Sequence, residues 1–147
     1  MSEGAQVPSG SSPLVLASSS PRRLDLLGRL RVVPARIASP DIDEAPRKGE
    51  IPRVYALRMA VEKARAVQRG NGEIVIAGDT TVALGRRILD KAQTPDDVRA
   101  MLGKLAGRRH RVFAGVAVID AQGREKARLS ETIVTFKTLS QAEIAAS

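Results

Sequence analysis

The sequence predicts an α/β domain, and three observations carry that expectation. Leu14-Val15-Leu16-Ala17 and Ile74-Val75-Ile76-Ala77 are apolar runs too short for helices, and both read as buried strands. Between and after them lie segments with helical periodicity and recognisable start signals. Near the end, Arg111 to Ile119 and Arg124 to Phe136 alternate as two strands do, around the turn Ala121-Gln122-Gly123. Strands interleaved with helices pack as layers of helix on sheet.

Residues 1–12 are small, polar and rich in Gly, Pro and Ser, and read as a disordered tail. The ordered part, 13–147, reads as one domain beginning at Pro13. After the first strand, Ser20 is a good N-cap and Pro21 suits the first helical position, where its missing N–H is no loss. Leu24, Leu27 and Leu30 then fall on one helical face. Val32 to Ala38 is strand-like, with Pro34 hinting at an edge or a bulge. Residues 39–50 form a polar, acidic loop. A helix is expected from near Pro52 to about Gln68, with Leu57, Val61, Ala64 and Val67 at helical spacing and Gly70 as a stop.

The second apolar strand ends in Gly78-Asp79-Thr80, and Thr81 to Leu89 reads as a hairpin turning at Gly85-Arg86. Thr94-Pro95-Asp96-Asp97 is a strong helix start, with a cap, Pro and acids in the first turn. Val98, Met101, Leu102 and Leu105 make its apolar stripe and Gly107 ends it. Ser140-Gln141-Ala142-Glu143 is a capping box that opens a helix with room for barely two turns before Ser147. Helices that short are marginal alone, so the segment reads either as the start of a longer helix or as a terminal turn docked on the sheet.

Composition removes several chemistries. The 147 residues hold 24 Lys and Arg against 16 Asp and Glu, a formal charge of +8, with one His, no Cys and no Trp. No disulfide, thiolate metal site or Cys nucleophile is available, and a multi-His metal site is excluded. Tyr55, Phe113 and Phe136 are too few to stack single-stranded bases. Carboxylates, Lys, Arg, Ser and Thr remain, a set suited to oxygen-ligated Mg²⁺ and phosphate groups. The positive balance attracts nucleic acid, anionic membranes or phosphorylated small molecules without choosing among them. No apolar run approaches the roughly 18–20 residues that span a bilayer. The N-terminus has no basic n-region, so a cytoplasmic setting is expected.

Four constellations carry chemistry. Ser18-Ser19-Ser20-Pro21-Arg22-Arg23, between strand and helix, reads either as an anion-binding helix start or as an ordinary capped helix with solvated arginines. Asp79, just past a buried strand, stands where open α/β sheets place their sites; it reads as a metal ligand or base, or as a turn Asp. Asp41, Asp43 and Glu44 read as a shared hard-cation site or as a solvated loop. Lys63 and Lys91 are positioned to neutralise a transferring phosphoryl group, or are surface lysines. His110, in Gly107-Arg108-Arg109-His110-Arg111, lacks a nucleophile-elbow partner and reads as a structural or surface residue. The arginines around it carry no nucleic-acid motif.

Taken together, LASSSPRRLDLL, DIDE, YALRMAVEKARAV, IAGDTTVALGRRILDKA and TPDDVRAMLGKLAGRRHRVFAGVAV resemble, in order and spacing, the Maf family of nucleoside triphosphate pyrophosphatases over roughly residues 13–144. The resemblance implies a mixed central sheet with flanking helices, a cleft between two lobes, and hydrolysis of a nucleoside triphosphate to monophosphate and pyrophosphate with a divalent metal, Mg²⁺ or Mn²⁺. SPRR followed by GDT resembles the branch acting on dTTP and UTP, since the branch acting on 7-methyl-GTP carries Trp in place of the first arginine. By that resemblance Asp79 matches the proton acceptor, and Arg22 and Thr80 match base-specificity positions. Ser18, Arg23, Glu44, Lys63 and Lys91 match polar residues of the cleft, with Glu44 and Asp79 holding the metal. The implied partners are the nucleotide and, because members are often dimeric, a second copy of the chain; neither membrane nor specific nucleic acid is implied.

The resemblance has departures. Members usually continue past the position of Ser147, where a Gln completes base specificity and later strands finish the sheet. The chain is therefore expected to lack a C-terminal part and to be poorly stable or weakly active. A catalytically impaired nucleotide-binding remnant, or a basic nucleic-acid-binding module, is the alternative. Asp90 precedes Lys91 where Gly or Pro is common, and Arg31 stands where a Gly often follows the first helix.

Overall fold

The computed structural model of the chain describes residues 13–18, 20–89 and 94–135. The expected N-terminal tail, Lys91, Phe136 and the capping box at 140–143 lie outside these residues. The elements run β1 (Leu14–Ala17), α1 (Pro21–Arg29), β2 (Arg36–Ala38), α2 (Pro52–Ala66), β3 (Ile74–Leu84), β4 (Arg87–Ile88), α3 (Pro95–Leu105), β5 (Arg109–Ile119) and β6 (Glu125–Thr135). They build a six-stranded sheet in the order β2-β1-β3-β5-β6, with β4 paired to β3. β1 is parallel to β2 and β3, whereas β5 is antiparallel to both of its neighbours, β3 and β6. The sheet is thus mixed, as expected. Among the described residues no helix is long and apolar enough to cross a membrane.

Four local readings are corrected. The strand expected over 32–38 shortens to Arg36–Ala38; Pro34 has no N–H to donate, and pairing with β1 starts only where Ala35 N–H meets the Leu14 carbonyl at 2.8 Å. α2 ends at Ala66 rather than Gln68, because Val67 turns extended. Ser20 occupies the N-cap of α1 but makes no side-chain cap bond; Ser18 Oγ instead accepts the Ser20 N–H at 2.9 Å. The stripe of α1 is not buried, for Leu24 and Leu30 are exposed and no residue of that helix is in the core.

The second apolar strand differs most. It does not stop at Ala77 but runs on through Gly78-Asp79-Thr80-Thr81 to Leu84. Backbone pairing with β5, from Val75↔Ile119 to Ala83↔Arg111, carries it past the Gly. The parallel partner β1, however, ends at Ala17↔Ala77. From Gly78 onward β3 keeps its β5 neighbour, while the edge that β1 had covered opens until β4 pairs at Ala83–Leu84. The site forms in that opening.

α3 starts as its sequence indicates, with a reciprocal capping box between Thr94 and Asp97. Gly107 follows its end at φ +67, a left-handed position that suits Gly. Arg31 adopts φ +58 just after α1, a conformation Gly takes without strain and Arg takes at a cost of about 1 kcal/mol or more.

α2 packs on the face of β3 and β5. Its buried positions, Pro52, Tyr55, Ala56, Met59, Ala60, Lys63 and Ala64, recur at helical spacing. This is not the stripe read from the larger apolar residues, since Leu57 and Val61 are only half-buried. Alanines face the sheet because the backbones come close. A Cβ added at Gly115 would lie 2.7 Å from the Ala56 carbonyl oxygen and 3.4 Å from Ala60 Cβ. We therefore expect Gly115→Ala to force α2 outward and cost about 1–3 kcal/mol. Gly103→Ala, on α3 with open space around it, should stabilise by roughly 0.5–1 kcal/mol. Urea unfolding of the two variants checks this, and equal midpoints would contradict the close approach.

Candidate active site

Strand alternation and burial set the face on which each site residue lies. Val75, Ala77, Asp79, Thr81 and Ala83 are the buried residues of one face of β3, under α2. Asp79 thus joins a row that is apolar apart from Thr81, and is 1% exposed. A carboxylate so deeply buried needs charge and hydrogen-bond partners. Lys63, on the buried face of α2, puts Nζ 3.2 Å from Asp79 Oδ1. Thr81, two residues along the same face, donates its hydroxyl to Asp79 Oδ2 at 2.7 Å. Lys63 Nζ also lies 3.6 Å from Glu44 Oε1, so one ammonium links a buried carboxylate and a half-exposed one.

Lys63 and Glu44 line a small polar cavity of about 40 Å³ at the carboxyl end of β1, together with Ser18, Arg23 and Gly78. Gly78 is needed for this closeness: a Cβ there would stand 3.2 Å from Arg23 Nε and 3.3 Å from the Gly115 carbonyl oxygen. A larger cavity of about 590 Å³ shares Glu44 and runs along the open edge of β3. Its lining includes Tyr55, Thr80, Val82, Ile88 and Met101, a more apolar surface.

The structure therefore brings Ser18, Arg23, Glu44 and Lys63 to one cavity, with Asp79 held directly behind Lys63. Thr80, exposed on β3, lines the adjoining larger cavity. Arg22 is exposed in the first turn of α1 and lines neither. Lys91 lies outside the described residues. Asp43 is committed to its own loop, accepting the Ala45 N–H at 3.0 Å, and Asp41 is exposed. His110 is buried at the start of β5 and lines neither cavity.

Three participants were not singled out from the sequence for the site: Tyr55, Arg58 and Thr81. Thr81 had a legible signal, since a residue two along a strand shares the face of Asp79. Tyr55 and Arg58 had only the i, i+3 spacing that puts them side by side on a helix. The Tyr55 hydroxyl donates to the Glu44 carbonyl at 2.5 Å. Burial first, then the negative fields of Asp79 and Glu44, push its phenol up to about 12, so it remains a donor near neutral pH.

Among the described residues no group of three His, Asp or Glu side chains converges on a metal position. The donor set nevertheless fits a hard cation delivered with phosphate. Mg²⁺ binds through one or two carboxylates plus substrate phosphates and water, and Glu44 and Asp79 are two carboxylates bridged by one ammonium.

The chain is similar to proteins of one family. The family model described as "Maf-like protein" matches residues 13–147. A protein of Sphingopyxis alaskensis named dTTP/UTP pyrophosphatase is 58% identical over 131 residues, covering 89% of this chain and 69% of its own. A protein of the same name from Novosphingobium aromaticivorans is 56% identical over 134 residues, 90% of this chain and 67% of its own. The solved Ham1 protein of Staphylococcus aureus aligns with TM-score 0.50 over 82% of this chain and 70% of that one, at 16% identity, a likeness of fold alone. None of these names describes a nucleic-acid-binding module.

Proposed function

Because the chain belongs to the Maf-like family, we propose that it is a nucleoside triphosphate pyrophosphatase that hydrolyses dTTP and UTP to the monophosphate and pyrophosphate, the activity for which its relatives are named. The observation that carries this reading is the meeting of Arg23, Lys63 and Glu44 on one cavity in front of buried Asp79.

A triphosphate is a dense anion, and its cleavage is governed by positioning and by charge placed where the phosphate oxygens lie. Arg23 and Lys63 supply two cations on the polar cavity, and Ser18 a hydroxyl. Lys91 is a further cation for the triphosphate by its place in the motif. The larger cavity, with Thr80 and apolar neighbours, is the space left for base and sugar, and Arg22 is a base contact by family position. A divalent metal, Mg²⁺ or Mn²⁺, bound by Glu44 and Asp79 would spread the phosphate charge and favour attack at phosphorus.

Asp79 is assigned as the proton acceptor. One bond forms between the water oxygen and the α-phosphorus, the α–β anhydride bond breaks, and pyrophosphate leaves. The water's proton passes to an Asp79 oxygen. Lys63, which lines the cavity, pairs with Asp79 Oδ1 at 3.2 Å, so the ammonium orients the carboxylate beside it. A cytoplasmic setting, a reducing compartment compatible with a chain lacking Cys, and a second copy as partner complete the proposal.

The test is phosphate-product analysis of the chain with Mg²⁺ and dTTP, UTP, dATP or GTP. Pyrophosphate from the first two is expected. No release from any nucleotide, or orthophosphate in place of pyrophosphate, would overturn the reading.

A further inference from the structure

Glu44 sits in a loop with little regular backbone pairing, yet it must face the cavity to act there. Residues 39–51 contain no helix or strand. Two local turns stiffen the segment: the Ala45 N–H donates to Asp43 Oδ1 at 3.0 Å, and the Glu50 N–H to the Arg47 carbonyl at 3.0 Å. What ties it to the rest of the fold comes from α2. Arg58 pairs with Glu50 through two bonds, Nε to Oε2 and Nη2 to Oε1, each 2.6 Å. Its Nη2 also donates to the Ala45 carbonyl at 3.2 Å, and Nη1 to Glu62 Oε2 at 3.2 Å. The guanidinium lies 5.6 Å from the centre of the Tyr55 ring. Tyr55 in turn holds the Glu44 carbonyl.

We propose that Arg58 is a positioning residue for Glu44: with Tyr55 it grips the peptide carbonyls of Glu44 and Ala45, and through Glu50 it fixes the far end of the same loop. The inference rests on the proposed role of the cavity and adds a residue that lines neither cavity but holds residues that do. Arg58 and Glu50 have side chains only 12% and 6% exposed, so the pair is shielded from solvent. Shielded ion pairs are weak sources of stability but strong fixers of geometry. The hydrogen bonds from Arg58 hold the Glu50 carboxyl down at about 2, so it stays ionised throughout the neutral range. Lysine cannot replace this arrangement, because the planar fork is what reaches both Glu50 oxygens and the Ala45 carbonyl at once.

The experiment uses the full chain and the variants Arg58→Lys, Tyr55→Phe, Glu44→Gln and Glu44→Gln/Arg58→Lys. Amide hydrogen exchange reads the loop directly. In Arg58→Lys the amides of Ala45, Arg47 and Glu50 should exchange about tenfold faster while those of α2 stay unchanged. Turnover reads the consequence. Arg58→Lys should lower kcat/KM by about tenfold. The double variant should fall no further than Glu44→Gln alone, because both changes disable one group. Unchanged loop exchange, or losses that multiply, would overturn the proposal, the latter being the pattern of a merely structural arginine. Should Arg58→Lys fail to fold, Tyr55→Phe removes a single hydroxyl and is expected to give the same pattern at smaller amplitude, with unchanged exchange again counting against the proposal. If the parent chain releases no pyrophosphate, the enzymatic reading fails, and the anchoring of the loop is decided on exchange alone.

Discussion

Asp79→Asn is expected to lower pyrophosphate release by about 10³-fold, the middle of the range for loss of a general base. The substitution keeps the side chain's shape and its place beside the Thr81 hydroxyl, so packing changes little. It removes the negative charge and the proton-accepting oxygen together. Steady-state kinetics separates those two losses. If the role is that of a base, kcat falls while KM for dTTP stays near its parent value. A rise in KM with little change in kcat would mean instead that Asp79 acts by holding Lys63 in place, 3.2 Å away. Equal turnover by variant and parent would remove Asp79 from the mechanism.

Lys63→Met is expected to be the most destabilising change in the site. It takes the ion-pair partner from a carboxylate whose side chain is 0% exposed. Breaking a buried pair from one side costs about 3–5 kcal/mol, because a charge is left in a medium that solvates it poorly. Adding Asp79→Asn to Lys63→Met should recover most of that loss by removing the charge, while activity stays absent. Urea unfolding of the two single variants and the double variant decides it. A Lys63→Met midpoint equal to the parent's would show that the pair carries no such burden. Failure of the double variant to recover would place the loss in packing rather than charge.

The site was legible where the chemistry follows residue type and local order. SSSPRR and GDT carry hydroxyls, guanidiniums and a carboxylate at strand–helix and strand–turn signals, which read locally as a phosphate site or as an ordinary cap and turn, and the family resemblance favours the first. The capping box of α3 and the two apolar strands were legible for the same local reason. Lys63 was legible as a cation but not as a buried one. Apolar periodicity in α2 points to Leu57 and Val61, whereas close approach at Gly115 selects alanines and puts Lys63 on the same buried face. Tyr55 and Arg58 were silent because their partners, Glu44, Ala45 and Glu50, lie in a loop whose path no local rule predicts.

By itself, then, the sequence determined the α/β class, the order of strands and helices, the absence of thiol and multi-His chemistry, and the family to which the chain belongs. The first three follow from composition, periodicity and short local motifs, whereas the family follows from the resemblance of several motifs in order along residues 13–144. Tertiary structure decided that β3 continues past Gly78 while β1 stops at Ala77, opening the edge where the cavities lie. It also decided that Asp79 is buried behind Lys63 and that Arg58 holds the loop of Glu44. Those outcomes depend on pairing between residues distant in the chain, where a backbone partner or a buried charge outweighs any local preference.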